Sequence, residues 1–236
     1  MEPVKQVTIG QTTVGGNGNL FVMAGPCVIE DYDRILNIGK VMKDICQRLG
    51  VTYIFKASYD KANRSSYDSY RGPGIVEGLK ILKAIKDELQ VPIVSDVHAV
   101  DQVEPAAEVL DVIQIPAFLC RQTDLLEAAA KTGKCVNVKK GQFMAPEDMG
   151  NVIRKVTHEG NENLLLTERG YSFGYHNLVV DMRGFPIMRS FGYPVVFDAT
   201  HSVQLPGGAG TKSSGQRQFI GNLARAAAGS GIDGVF

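Results

Sequence analysis

The sequence carries no excess of charge of either sign: 25 Lys and Arg face 25 Asp and Glu, for a formal net charge of zero over 236 residues. A long-range field suited to gripping nucleic acid is therefore not expected, and any cation cluster must be local. No apolar run approaches the ~20 residues of a membrane span, and the polar start Met1-Glu2-Pro3-Val4-Lys5 does not read as a signal peptide. The four cysteines, Cys27, Cys46, Cys120 and Cys135, form no CxxC pair and no disulfide-scaffold spacing, which suits a reducing cytoplasm. These absences point to a soluble, cytoplasmic protein with no nucleic-acid or membrane partner. Linkers, charge runs and low-complexity segments are also missing. At 44% hydrophobic and 21% charged, residues 1–236 read as one domain with a single large core.

What is there is alternation. Residues 1–18 read as a small hairpin ending in a Gly/Asn-rich turn. Short apolar runs then alternate with helical patterns, and their near-continuous apolar character suits parallel strands covered on both faces. The predicted strands are 20–24, 52–56, 92–96, 112–116, 135–139, 164–168 and 194–198. The predicted helices are 32–49, 75–89, 101–109, 122–131, 146–159, 178–190 and 215–229. Residues 231–236 open an eighth strand, and eight such units close an α/β barrel of the (β/α)8 or TIM type, here with its eighth unit incomplete. An open doubly wound sheet competes, but Gly25-Pro26-Cys27 after the first strand is not a GxGxxG fingerprint.

A barrel gathers its chemistry at the carboxyl ends of its strands. Those ends carry Cys27, then Lys56 and Ser58, then Asp96 and His98, then Gln114, Pro116 and Ala117. Lys139 and Lys140, Glu168 and Arg169, and Asp198, Thr200 and His201 complete the series. All are expected to point into one mouth. The stretch after strand two, Lys56 to Gly74, sets Lys56, Lys61, Arg64 and Arg71 among hydroxyls and an amide, an anion site in outline. Lys56, Lys61, Lys139 and Arg169 would outnumber the acids around them, which implies a small, highly charged anionic substrate. A lysine at a strand end is more often a snorkelling surface residue, but four cations from different strands weaken that reading. Cys27 and His201 would be neighbours across a closed barrel and form a soft S/N pair suited to Zn or Fe(II). A buried thiol beside a hydrogen-bonded histidine is the plain alternative, and a nucleophilic Cys-His pair lacks an evident orienting partner.

Four motifs make the pattern specific: Ala24-Gly25-Pro26-Cys27, the run from Phe55 to Ser66, the run from Gln114 to Thr123, and Asp198-Ala199-Thr200-His201-Ser202. Together with Thr167-Glu168-Arg169-Gly170 and Phe173-Gly174-Tyr175, they resemble the 3-deoxy-D-manno-octulosonate 8-phosphate synthases over essentially the whole chain. The resemblance implies condensation of phosphoenolpyruvate with D-arabinose 5-phosphate and water, releasing phosphate without a Schiff base. Carried over residue by residue, Lys56, Ser58, Lys61, Gln114, Ala117, Lys139 and Arg169 would hold phosphoenolpyruvate, with Asp96 and Pro116 in the same substrate-binding set. Asn63, Arg64 and Ser65 would meet the sugar phosphate, and Phe118 and Arg121 would reach in from a neighbouring subunit of a homotetramer. Lys61, Asn63 and His201 are the implied catalytic residues.

The family divides at one position between Asn and Cys. Cys27 implies the metal-dependent class, with Cys27 and His201 ligating a divalent ion such as Zn, Fe(II) or Mn. The family's other two ligands are a Glu and an Asp after the eighth strand, and the sequence stops at Phe236 before either: it is cut short there or, the preferred expectation, ends where the ordered chain ends. Asp233 precedes the strand and is not expected to replace them. Residues 204–215, rich in Gly, Ser and Thr, are the expected lid. Three alternatives remain: the sister 3-deoxy-arabino-heptulosonate 7-phosphate synthase using erythrose 4-phosphate, a non-catalytic sugar-phosphate binder, and a Schiff-base aldolase.

Overall fold

Short runs of β-branched and aromatic residues pair side by side in parallel, and the pairing closes on itself. The computed structural model describes residues 3–16, 18–208 and 213–236. A hairpin comes first, β1 (Gln6–Ile9) antiparallel to β2 (Thr12–Gly15), turning at Gly10 with φ of 58°. The turn therefore precedes the Gly-rich segment, which instead leads into the barrel; Met1, Glu2 and Asn17 of the predicted hairpin lie outside the described residues.

Strand β3 (Phe21–Ala24) is followed by α1 (Tyr32–Leu49), and β4 (Thr52–Lys56) by α2 (Ile75–Leu89). Helix α1 starts where the Asp31 side chain accepts the Arg34 amide at 2.9 Å and stops at Gly50, in the left-handed region. Next come β5 (Ile93–Asp96), α3 (Val103–Ala107), β6 (Val112–Ile115), α4 (Thr123–Lys131), β7 (Cys135–Lys139), α5 (Met149–His158) and β8 (Leu164–Glu168). A small hairpin of β9 (Tyr171–Ser172) and β10 (Leu178–Val179) precedes α6 (Gly184–Arg189) and β11 (Val195–Phe197). A second, β12 (Gln204–Leu205) with β13 (Ser214–Gly215), precedes α7 (Ile220–Gly229) and β14 (Gly234–Val235). Residues 209–212 of the expected lid lie outside the described residues.

The barrel order is β3-β4-β5-β6-β7-β8-β11-β14, and β14 pairs with both β11 and β3, so the two-residue eighth strand completes the ring. Gly234 permits that closure: a Cβ there would stand 2.5 Å from the Phe21 ring. The predicted helix over 178–190 is corrected. Leu178 and Val179 pair with Ser172 and Tyr171 instead, because a ladder partner is available there and the helical period alone is not decisive. The helix predicted over 215–229 likewise loses its first residues, since Gly215 pairs with Gln204.

Strand residues separate strictly by parity. Outward side chains such as Phe55, Ile113, Val138, Leu166 and Phe197 pack under the helices, while inward Phe21, Met23, Ile54, Val94, Val112, Cys135, Leu165 and Val196 fill the barrel. Val7, Ile9 and Val14 of the hairpin join this inner cluster and seal the amino-terminal end.

Candidate active site

Strands β4 and β5 build the first half of the mouth. Lys56, inward at the end of β4, is 4% exposed; its Nζ donates to Ser58 Oγ at 2.6 Å and lies 3.4 Å from Asp96 Oδ1. Lys61 Nζ donates to the same Ser58 oxygen at 2.9 Å, and Ser58 donates onward to Asp96 Oδ1. One hydroxyl thus joins two ammonium groups to one buried carboxylate. Burial, followed by repulsion from Lys61, pushes the Lys56 ammonium down to about 7. Burial works against ionised Asp96, yet Lys56 and Lys61 hold its carboxyl well below the usual carboxylate range. His98 Nε2 lies 3.1 Å from Asp96 Oδ2, so this histidine belongs to the cluster.

The second half comes from β7, β8 and β11. Lys139 Nζ donates to Asp198 Oδ2 at 2.6 Å, and His201 Nδ1 lies 2.8 Å from the same oxygen. Asp198 is fully buried; His201 and Lys139 keep it ionised against the burial cost, far below the ordinary range. Arg169 is buried at 8% exposure, donates from Nη2 to Gln204 Oε1 at 3.3 Å, and its Nη1 has no hydrogen-bond partner among the described residues. Beneath these groups Thr167 donates to Asn137 at 2.6 Å and Asn137 to Gln114 at 3.3 Å, a polar layer inside the barrel.

Cys27 reaches the same mouth. Gly25 comes so close to β4 that a Cβ would stand 2.0 Å from the Lys56 carbonyl oxygen, and the Val28–Ser58 bridge fixes the segment there. Proximity to His201, with help from Lys61 and Lys56, lowers the exposed Cys27 thiol to about 6. The shift favours the thiolate form at neutral pH. Asp198 engages His201 Nδ1, leaving Nε2 as the ring's other donor atom, a carboxylate–histidine arrangement familiar from metal sites. Among the described residues no group of three or more His, Cys, Asp or Glu side chains has metal-binding geometry. Cys27 and His201 thus fit two positions of a soft-donor site and do not complete it.

The structure brings Cys27, Lys56, Ser58, Lys61, Asp96, Gln114, Lys139, Arg169 and His201 to the same end of the barrel. Lys140 and Glu168 are corrected. Each is next in chain to an inward cation, so each faces the opposite side of the wall, with Lys140 Nζ 3.6 Å from Glu168 Oε1 and both completely buried. Arg71 is corrected as well: it is spent on Asp60, through contacts of 2.8 and 2.5 Å, and is not part of the anion site. Asn63, Arg64 and Ser65 are exposed on their loop, where Arg64 Nε donates to the Tyr70 carbonyl at 3.3 Å. Pro116 and buried Ala117 lie on the turn after β6; Phe118 and Arg121 are exposed beside it. Asp233 makes an ion pair with Arg189 and accepts the Val195 amide at 2.8 Å at the other end of the barrel, so it is no mouth ligand. Sequence reading missed Phe236, whose ring centroid lies 3.6 Å from Lys139 Nζ and 5.7 Å from Lys56 Nζ. Its parity with Gly234 was the available signal.

An open cavity of about 590 Å3 lies outside this cluster, among Gln142, Phe143, Pro146, Tyr171 and Asp181. It holds none of the convergent cations, so charge geometry rather than void volume locates the site. The sequence model of the DAHP synthetase I family matches residues 4–236. The chain belongs to the DAHP synthetase I family. Within it, the chain is 62% identical over 232 residues to a protein of Trichlorobacter lovleyi named 2-dehydro-3-deoxyphosphooctonate aldolase, covering 98% of this chain and 85% of that protein. Proteins of the same name from Geotalea uraniireducens and Geobacter sulfurreducens are 60% identical over 233 residues and 58% identical over 232; they cover 99% and 98% of this chain, and 86% and 85% of those proteins. The fold these DAHP synthetase I residues adopt is the closed eight-stranded parallel barrel described above.

Proposed function

We propose that the protein is a 3-deoxy-D-manno-octulosonate 8-phosphate synthase, an enzyme that joins phosphoenolpyruvate to D-arabinose 5-phosphate with water and releases inorganic phosphate. The observation that carries this reading is the convergence of Lys56, Lys139 and Arg169 from the ends of three strands, and of Lys61 from the loop after β4, around two buried carboxylates, Asp96 and Asp198. Such an excess of desolvated cations is stabilised by anionic ligands, and both substrates are anions. The identity to proteins named 2-dehydro-3-deoxyphosphooctonate aldolase supports the eight-carbon product over the seven-carbon one.

Carbon 3 of phosphoenolpyruvate bonds to the aldehyde carbon, whose oxygen takes a proton. Water adds at carbon 2, and the carbon 2–oxygen bond to phosphate then breaks as the carbonyl forms; of the two protons of that water, one leaves with phosphate and the other replaces the one taken up by the aldehyde oxygen. The chain's own groups hold the anions in place and stabilise charge as it moves. Lys61 supplies the proton, its Nζ held by Ser58 Oγ. Asn63, Arg64 and Ser65 meet the sugar phosphate at the rim. Cys27 and His201 would hold a divalent metal, Zn, Fe(II) or Mn, and the chemistry such an ion would supply there is Lewis-acid polarisation of the aldehyde or of water. Phe118 and Arg121, exposed beside the mouth, serve a neighbouring subunit in a homotetramer.

The deciding experiment incubates metal-supplemented protein with phosphoenolpyruvate and either arabinose 5-phosphate or erythrose 4-phosphate. Phosphate release with the five-carbon sugar is expected; release only with the four-carbon sugar, or binding of both without turnover, sinks the proposal. Cys27→Asn should keep turnover in the presence of a chelator that silences the parent, and unchanged chelator sensitivity would refute the ligand role. A Schiff-base reading has one observation in its favour, the lowered Lys56 ammonium. Borohydride trapping on Lys56 would support it; none is expected, since an enol phosphate is already a carbon nucleophile.

A further inference from the structure

The wall behind the mouth contains an ion pair that the reaction does not touch. Lys140 Nζ lies 3.6 Å from Glu168 Oε1, donates to the carbonyls of Gly141 at 3.0 Å and Met144 at 3.2 Å, and sits 3.6 Å from the centroid of the Tyr171 ring. The same Glu168 oxygen accepts the amides of Arg169 at 2.8 Å and Gly170 at 2.6 Å, and Gly170 stands at φ of 95°. Both charged side chains are completely buried. A pair placed there for stability alone is a poor solution, because hydrophobic residues of similar volume are commonly as stabilising.

Its place in the chain gives the pair another use. Lys140 follows Lys139, and Glu168 precedes Arg169, so each wall residue is joined through one peptide to a cation of the mouth. Main-chain bonds carry the tie further: the Lys140 amide donates to Thr167 O at 2.8 Å and the Asp198 amide to Glu168 O at 2.8 Å. Displacing Glu168 would release the Arg169 and Gly170 amides, and displacing Lys140 would release the loop that begins at Gly141. We propose that Lys140 and Glu168 are positioning residues that set the separation of Lys139 and Arg169, and with it the grip on the phosphoenolpyruvate anion. This rests on the function proposed above and adds to it the part played by two residues that never meet substrate.

The test compares the parent with Lys140→Met, Glu168→Gln and the double variant, measuring Tm and the two KM values. Lys140→Met leaves a buried carboxylate uncompensated and should lower Tm. The double variant removes both charges and should recover most of that loss, while its KM for phosphoenolpyruvate stays raised at least about tenfold and its KM for arabinose 5-phosphate changes less than twofold. Should Lys140→Met fail to fold, Glu168→Gln alone, which keeps Lys140 with its two carbonyl acceptors, should show the same split at smaller size. Recovery of both KM values with Tm, or a parallel rise in both, means a purely structural pair and overturns the proposal. If the parent releases no phosphate, the assigned reaction fails separately, and calorimetric titration with inorganic phosphate still decides about the pair. Binding weakened at least about tenfold in the double variant supports it; equal affinity, or no binding by the parent, overturns it.

Discussion

At the floor of the barrel the inward side chains are Phe21, Ile54, Val94, Val112, Cys135, Leu165 and Val196. Two residues further along the same strands they are Met23, Lys56, Asp96, Gln114, Asn137, Thr167 and Asp198. The step is only ~7 Å of strand, and six of seven positions change from apolar to polar. Below it, the hairpin's Val7, Ile9 and Val14 bury apolar surface at about 1.5–3 kcal/mol per side chain. Above it, desolvation lowers the pKa of buried Lys56, Lys139 and Arg169, so each charge is held there at a cost. The floor thus supplies stability that the mouth consumes, and it lets charges stand in fixed positions where a flexible solvated loop would not hold them.

That contrast can be broken from either end. The largest effect is expected at the mouth: Arg169→Ala should lower kcat/KM by about 10^3-fold while leaving Tm unchanged or higher, because a desolvated cation is removed. A Tm loss as large as the activity loss would show that the mouth also carries the fold. Next comes the floor, where Ile9→Ala should cost about 3 kcal/mol in denaturant unfolding with kcat unchanged at 25 °C. A change in kcat would show that the two layers are mechanically coupled.

The smallest effect sharpens the electrostatics. Lys56, lowered to about 7, is charged below that pH and neutral above it, so KM for phosphoenolpyruvate should rise by up to about tenfold between pH 6 and 8. Lys56→Met should flatten that rise, and an unchanged profile would assign the titration elsewhere. The stability sign runs the other way from binding. A folded-state value below the unfolded one near 10.5 means that Lys56 costs stability below about pH 7, and that this cost fades as pH rises toward 10.5.

Much of the site was legible because a barrel strand announces its carboxyl end by where the apolar run stops, as at Phe55-Lys56 and Val138-Lys139. The limits of the 32–49 helix were legible, and the structure caps them with Asp31 and Gly50. Less legible was the partner that a charge would choose. Arg71 is committed to Asp60, eleven residues earlier, and Asp198 joins Lys139 to His201 across two strands. Such pairings depend on where loops and strand ends meet, which local composition does not encode. The 178–190 segment failed for a related reason, since an antiparallel partner at Tyr171–Ser172 overrode a helical period.

By itself, the sequence determined the eight-unit alternation, the neutral and locally cationic character, and the residue types at each strand end, because these follow from periodicity and from the cost of burying polar groups. Only the tertiary structure decided which of two adjacent residues enters the mouth. Lys139 and Arg169 point inward, whereas Lys140 and Glu168 are locked behind the wall. The physical reason is the two-residue period of a strand combined with ring closure. Parity can be counted on one strand, but its inward face exists only once β14 pairs with β3.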